Sequence, residues 1–381
     1  MWVLIAAASV LLILLVLFDA FETILLPRRV TRQFRFARMF FVNSWAPWAA
    51  LARLIRSNKR RNTFLSWFGP LSILVLLCLW AVGLMFGFAL LHWALGTPLS
   101  SLPEGAGLET YLYFSGVTFF TLGYGDLTPT GGLGRFLAVA ETGVGFGFFA
   151  VVISYLPVLY QAFSRREVTI SLLDARAGSP PTAGTLLSRM ARYSDAALLD
   201  QFLGEWERWA AEVLESHVSF PLLSFYRSQH DNQSWLAALT AILDTSALII
   251  ALEERNDRPQ AWLTFAMGRH VVVDLAQVFK TPPVELQADR LPGARFTVLR
   301  NHLETLGMKL LDDEIAMRRL VELRAMYEPF VHALSLRFLL PLPPVLLDGE
   351  PVDNWQTSAW MRRARGFQHL APGATADEHD D

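Results

Sequence analysis

The chain has 381 residues, a formal charge of -2 and 53% apolar residues, oilier than an average soluble protein. Its single cysteine, Cys78, rules out a disulfide framework, a zinc knuckle or a CxxC redox pair within one chain. The charge is uneven: residues up to Phe163 carry 11 Lys and Arg against 6 Asp and Glu, and the remainder 22 against 29, so the two halves face different surroundings.

Residues 1–26 open with an apolar run, Met1 to Phe18, broken only by Ser9, and with Ala20, Phe21 and Ile24 to Leu26 it is long enough to span a hydrocarbon core about 30 Å thick. A signal peptide is the alternative reading, but no basic residue precedes the run and no small-x-small cleavage site follows it.

Residues 27–63 hold ten basic residues and no acid, and no acid occurs anywhere between Glu22 and Glu104. By the positive-inside rule this segment is cytoplasmic, which places the N-terminus and the loop after Leu95 outside and everything after Phe163 in the cytoplasm, across a plasma membrane of the prokaryotic inner type. Arg29, Arg32, Arg35 and Arg38 recur at every third position in the manner of a voltage-sensing helix, yet only one span precedes them. The plainer reading is an amphipathic interfacial helix: its arginines meet anionic lipid head groups, while Phe34, Phe36, Phe40, Phe41, Trp45 and Trp48 lie at the bilayer boundary.

Residues 64–163 contain two further spans, 64–95 and 133–163. Between them lies a stretch too apolar for an ordinary external loop, which predicts a re-entrant helix over 109–120 and a glycine-rich return over 121–126. Irregular backbone at membrane depth is tolerated only where protein or a water-filled cavity surrounds it. The residues of the return are Thr121, Leu122, Gly123, Tyr124, Gly125 and Asp126. Stacked backbone carbonyls can replace the hydration shell of a cation, and the two glycines free the backbone to aim them at an axis. Thr121 adds a hydroxyl ring. Tyr124 is expected to brace the strand against Tyr113 and Phe114, and Asp126 to concentrate cations at the mouth.

The run Thr118-x-x-Thr121-x-Gly123-Tyr124-Gly125-Asp126, with Pro129 after it and Gly134-Arg135 opening the next helix, resembles the pore signature of the potassium channels over roughly a quarter of the chain. Leu122 departs from the valine commoner there, at a position that contributes a carbonyl. The resemblance implies K+ held at Thr121, Leu122, Gly123 and Tyr124, passive conduction without a cofactor, and a fourfold pore. A nonselective cation channel, or a membrane-anchored sensor whose pore domain does not conduct, are the alternatives.

Gly145-Phe146-Gly147 fails as a second filter, since Gly143 replaces the threonine ahead of it and Phe148 the acid after it. One loop per chain implies a homotetramer. Gly143, Gly145 and Gly147, with Pro157 further on, are candidate hinge or gate residues of the inner helix, with a bundle crossing near Pro157 to Tyr160; packing alone is the competing explanation.

Residues 164–369 turn to soluble helical periodicity, predicting an all-α cytoplasmic domain; residues 370–381 form a small, polar, acidic tail expected to be disordered. Leu199, Phe202, Trp206, Ala210, Val213 and His217 form one stripe, and Leu320, Leu323, Tyr327, Phe330 and Leu334 another, on a helix ended by Pro341, Pro343 and Pro344. Asp195 and Ser234 are candidate N-caps, and Asp312, Asp313 and Glu314 start a helix by complementing its dipole. No Gly-x-Gly-x-x-Gly turn, train of alternating strands, HExxH, GxSxG or P-loop is present, so neither a dinucleotide or cyclic-nucleotide sensor nor an enzyme is expected. His217, Tyr226, Arg227, His230 and Asp231, with Gln229, Asn232 and Asp244 nearby, are a candidate cluster for an unknown cytoplasmic ligand; a core histidine beside an interhelix turn explains the same residues. The domain is then either a ligand sensor or an assembly scaffold. No nucleic-acid partner is expected.

Overall fold

The computed structural model describes residues 1–26, 35–101, 107–193, 196–229, 232–253, 258–347 and 349. The arginines at 28, 29 and 32, with Phe34, Asp195, His230 and Asp231, lie outside them. The described elements are helices, joined by turns and two isolated β-bridges. The chain falls into two units, residues 1–56 with 63–161, and residues 57–62 with those from 162 on.

In the first unit, α1 (Trp2–Ala20) continues as a π-helical turn over Phe21–Leu25. It carries no charge before Asp19, and Ser9 satisfies its hydroxyl on the carbonyl of Ile5 at 2.7 Å. It packs along α4 (Phe68–Ala94), where Gly83 and Gly87, one turn apart, present a bare face to Val16 and Ile13. One buried carboxylate oxygen, Oδ2 of Asp19, ties three helices together. It accepts from the indole of Trp80 on α4 at 3.0 Å and from the backbone N–H of Ala37 at 3.0 Å, in the first turn of α2 (Phe36–Leu54). Arg35 lies 3.7 Å from Glu22 and donates to Thr23.

Trp45 is buried against Phe68, and Trp48 stacks on Phe64 at 4.5 Å. These two rings thus face protein, whereas Phe36 is exposed. A short helix, α3 (Asn58–Ser66), leads into α4, and α5 (Leu108–Phe119) and α6 (Gly132–Ala177) flank the glycine-rich return. The inner helix runs through Pro157 and ends fourteen residues beyond the expected Phe163, because nothing before Gly178 interrupts it.

In the second unit, α9 (Trp235–Leu252) is buried at all 18 positions. Among the described residues it is one of four helical stretches long and apolar enough to cross a membrane, the others being α1 with its π turn, α3 with α4, and α6. With no face left for lipid, α9 is the core of a helical domain. Ser234 caps it by accepting from the N–H of Ala237. Around it pack α7 (Ala183–Ala191), α8 (Ala196–Ser219), α10 (Pro259–Val278), α12 (Asp313–Ala325) and α13 (Glu328–Phe338), with α11 (Gly293–Thr305) against α7 and α12. The α8 stripe is buried as expected, from Leu199 to His217.

The second stripe is not one helix. Pro329, at the second position of α13, cannot supply an intrahelical N–H, so the chain breaks at Met326 and Tyr327. Tyr327 is buried at the corner and Phe330 is only half-buried. Asp312 caps α12 by accepting from the N–H of Glu314.

Candidate functional site

The return after α5 is built on the last turn of that helix. The carbonyl of Val117 accepts the N–H groups of Leu122 at 2.9 Å and Gly123 at 3.4 Å, and that of Thr118 accepts from Thr121 at 3.1 Å. Beyond this base the backbone alternates: Thr121, Gly123 and Gly125 have φ of 57°, 60° and 78°, separated by Leu122 and Tyr124. Left-handed φ is cheap for glycine and costly for a β-branched residue, so Thr121 marks a strained position.

Among the described residues no backbone N–H donates to the carbonyls of Thr121 through Gly125. The whole return, including Leu122 and Tyr124, is exposed in the single chain, and no atom lies within 4 Å of where a Cβ would stand on Gly123 or Gly125.

The flanks are held more firmly. Ser100 donates its N–H to the carbonyl of Thr128 at 2.8 Å, Thr130 donates to Pro98 at 3.0 Å, and Leu99 pairs with Pro129. Arg135 donates to the carbonyl of Pro129, and Tyr111 to that of Thr97. The Tyr113 hydroxyl donates to Asp126 at 2.8 Å, a contact other than the packing against Tyr124 that was expected. Phe114 is buried edge-on to His92, and Tyr124, 68% exposed, packs on neither ring within the chain.

Behind the return, α6 leans on the last turn of α5. Gly145 lies against the carbonyl oxygen of Phe119, and Thr142 donates to the carbonyl of Ala138 at 2.9 Å with its hydroxyl 3.5 Å from the carbonyl of Thr118. Gly143 and Gly147 face open space. Sequence reasoning passed over Glu141, whose side chain is fully buried between Ser115 and His92. A lone carboxylate inside an apolar span was the signal that could have found it.

Of the expected ligand cluster, His217, Tyr226 and Arg227 lie among the described residues, and His230 and Asp231 outside them. Arg166, near the end of α6, meets the first two, donating to His217 Nε2 at 3.1 Å and to the carbonyls of Leu223 and Tyr226 at 2.9 Å. It also pairs with Glu167 and lies over the ring of Phe163. His217 is fully buried; burial and the neighbouring Arg166 charge hold its pKa well below the usual imidazole value, against the bond its Nδ1 makes to Val213. Burial pushes the Tyr226 phenol up to about 12, and burial, with the charge of Arg61, brings Arg227 down to about 10.

Arg227 turns away to the carbonyls of Phe338 and Leu339, closing the end of α13. Asp244 belongs to a separate buried network with Arg290 and Tyr327. Burial opposes the charge on Arg290, but Asp244 and Glu328 outweigh it and raise its pKa. No group of His, Cys, Asp and Glu able to hold a metal ion occurs among the described residues.

Residues 75–161 match the family model described as "Ion channel". The chain is 30% identical over 188 residues to the uncharacterized membrane protein YdjJ of Bacillus subtilis, covering 49% of this chain and 54% of that one. It is 36% identical over 85 residues to protein LctB of Geobacillus stearothermophilus and 35% identical to protein LctB of Bacillus caldotenax, covering 20% of this chain and 63% of each relative. The chain thus spans roughly half to under two thirds of the length of the curated relatives it matches. No solved structure matches it.

Proposed function

We propose, for a multi-pass membrane protein whose residues 75–161 belong to the ion-channel family, in a pore domain of the two-helix potassium-channel type, that it conducts K+ passively and selectively as a homotetramer. The alternating backbone of Thr121, Gly123 and Gly125 carries this reading. Alternation lets successive carbonyls face one side, where four strands around an axis replace the water of a dehydrated cation. The exposure of the return and its unpaired carbonyls support a fourfold assembly, since a single strand leaves both costs unmet.

The chemistry is dehydration and multi-ion passage and needs no cofactor. The basic segment after α1 supports a cytoplasmic placement of residues 27–63 and of the second unit, with anionic lipid at the arginines. Opening at the inner helix near Pro157 to Tyr160, where Val158 and Tyr160 are exposed apolar side chains, is part of the same proposal. The second unit then acts as sensor or scaffold.

The test is flux in liposomes containing the purified protein under opposed K+ and Na+ gradients, with Gly123→Ala beside the wild type. Selective K+ flux lost in the variant is expected. Equal flux of both ions would replace the proposal with a nonselective pore.

A further inference from the structure

Glu141 is the only acid that α6 carries before Glu167, and it sits behind the glycine-rich return rather than in it. Its side chain is closed in by α4 and α5: Ser115 touches Oε1, and His92 Nε2 faces Oε2 at 3.6 Å. Beyond these, Ser115 Oγ reaches the carbonyl of Met85 at 2.8 Å, and His92 Nδ1 lies 3.0 Å from the hydroxyl of Thr97. Among the described residues no Lys or Arg pairs with Glu141. Among the described residues His92 is the single titratable group that faces it.

Donors and acceptors can be counted along this chain. A serine hydroxyl has one proton, and a peptide carbonyl only accepts. Ser115 must therefore spend its proton on Met85 or on Glu141, and an ionised carboxylate would compete with the carbonyl for it. One arrangement accounts for the three close contacts: Thr97 donates to His92 Nδ1, Glu141 donates from Oε1 to Ser115, and Ser115 donates to Met85, while His92 Nε2 and Glu141 Oε2, 3.6 Å apart, face each other without a hydrogen bond. All four side chains are then uncharged, which suits groups buried this fully.

We propose that Glu141 carries a proton in this pore domain and, by donating it to Ser115, acts as a positioning residue that fixes the turn on which the filter stands. Ser115 is one turn before the carbonyls of Val117 and Thr118, which receive the N–H groups of Thr121, Leu122 and Gly123. Thr142 and Gly145, the neighbours of Glu141 on α6, touch the same turn at Thr118 and Phe119. The inner helix thus reaches the filter base at three adjacent points. Glu141 supplies the polar one.

The inference rests on the selective conduction proposed above, and two readouts keep them apart. Glu141→Gln replaces the O–H by an N–H of the same reach and keeps an oxygen facing His92, whereas Glu141→Leu keeps only bulk. In liposomes holding the full-length protein, Glu141→Gln is expected to preserve the wild-type ratio of K+ to Na+ flux. Glu141→Leu is expected to lower the ratio about tenfold, one hydrogen bond's worth, and Ser115→Ala to lower it similarly, with no further loss when the two are combined. Infrared difference spectra of wild type against Glu141→Gln should show the carbonyl stretch of a protonated carboxylic acid. A Gln variant as damaged as the Leu variant, a Leu variant with unchanged selectivity, or carboxylate bands in place of the acid band would overturn the proposal. Should wild type show no selectivity, the function falls, and the infrared band alone decides where the proton is.

Discussion

Gly145 lies so close to the carbonyl oxygen of Phe119 that a Cβ there would stand 2.3 Å from it, against backbone that cannot rotate away. The glycine is therefore a contact that sets the distance between α6 and the last turn of α5. Gly145→Ala should cost about 1–3 kcal/mol by overpacking and reduce K+ flux, whereas Gly143→Ala, which meets nothing within 4 Å in the chain, should melt within a few degrees of wild type. Thermal melting of the purified proteins with parallel flux measurements compares the two.

The approach of α1 to α4 rests on the same logic. A Cβ on Gly87 would stand 2.7 Å from Ile13, and one on Gly83 would stand 3.3 Å from Val16. Gly87→Val should destabilise the first unit by about 1–3 kcal/mol, and Gly83→Ala much less. Pairing Gly87→Val with Ile13→Ala should recover part of the loss, read as melting temperature in one detergent.

Arg166 gives the second unit a buried cationic hub. Arg166→Met removes the donors to two carbonyls and the partner of Glu167, and should cost about 3–5 kcal/mol. Arg166→Lys, which keeps charge but not the planar fork, should fall between Met and wild type. Denaturant unfolding of the full chain, followed by tryptophan fluorescence, measures the series; Trp209, whose indole donates to the Arg166 carbonyl, reports locally.

His217 should make stability depend on pH in the opposite sense to a salt-bridged histidine. Burial and the Arg166 charge hold its folded pKa well below the usual 6.5 of an imidazole, so from about 6.5 downward the unfolded chain binds a proton that the folded chain refuses. Stability is thus complete above about pH 6.5 and falls as pH drops, by up to about 1.4 kcal/mol per pH unit until the folded pKa is reached. His217→Gln should flatten the melting temperature between pH 7 and pH 5 relative to wild type.

What could be read beforehand follows from where each feature keeps its information. The irregular return was legible because its conformation is in the backbone, and Gly123 and Gly125 announce the positive φ found there in one short run. The spans were legible because lipid imposes length and polarity together. Gly83 and Gly87 carried a readable spacing that was overlooked, as did the lone Glu141. Pro329 likewise signalled the break that splits the stripe through Tyr327. Arg166 was not legible at all, since its partners His217, Leu223 and Tyr226 are 51 to 60 residues away and meet it only once the helices pack. For the same reason His217 and Arg227 read as one cluster in sequence and serve separate contacts in the fold.

Selectivity is tested most directly by the reversal potential of the full-length protein in a planar bilayer, with K+ on one side and Na+ on the other at equal concentration. Four filters built from Thr121 to Gly125 should displace that potential strongly in the direction that stops K+ flow, and Gly123→Ala should abolish the displacement or the current. A wild-type current reversing at zero would show that the strand does not distinguish the two ions and would contradict the central claim.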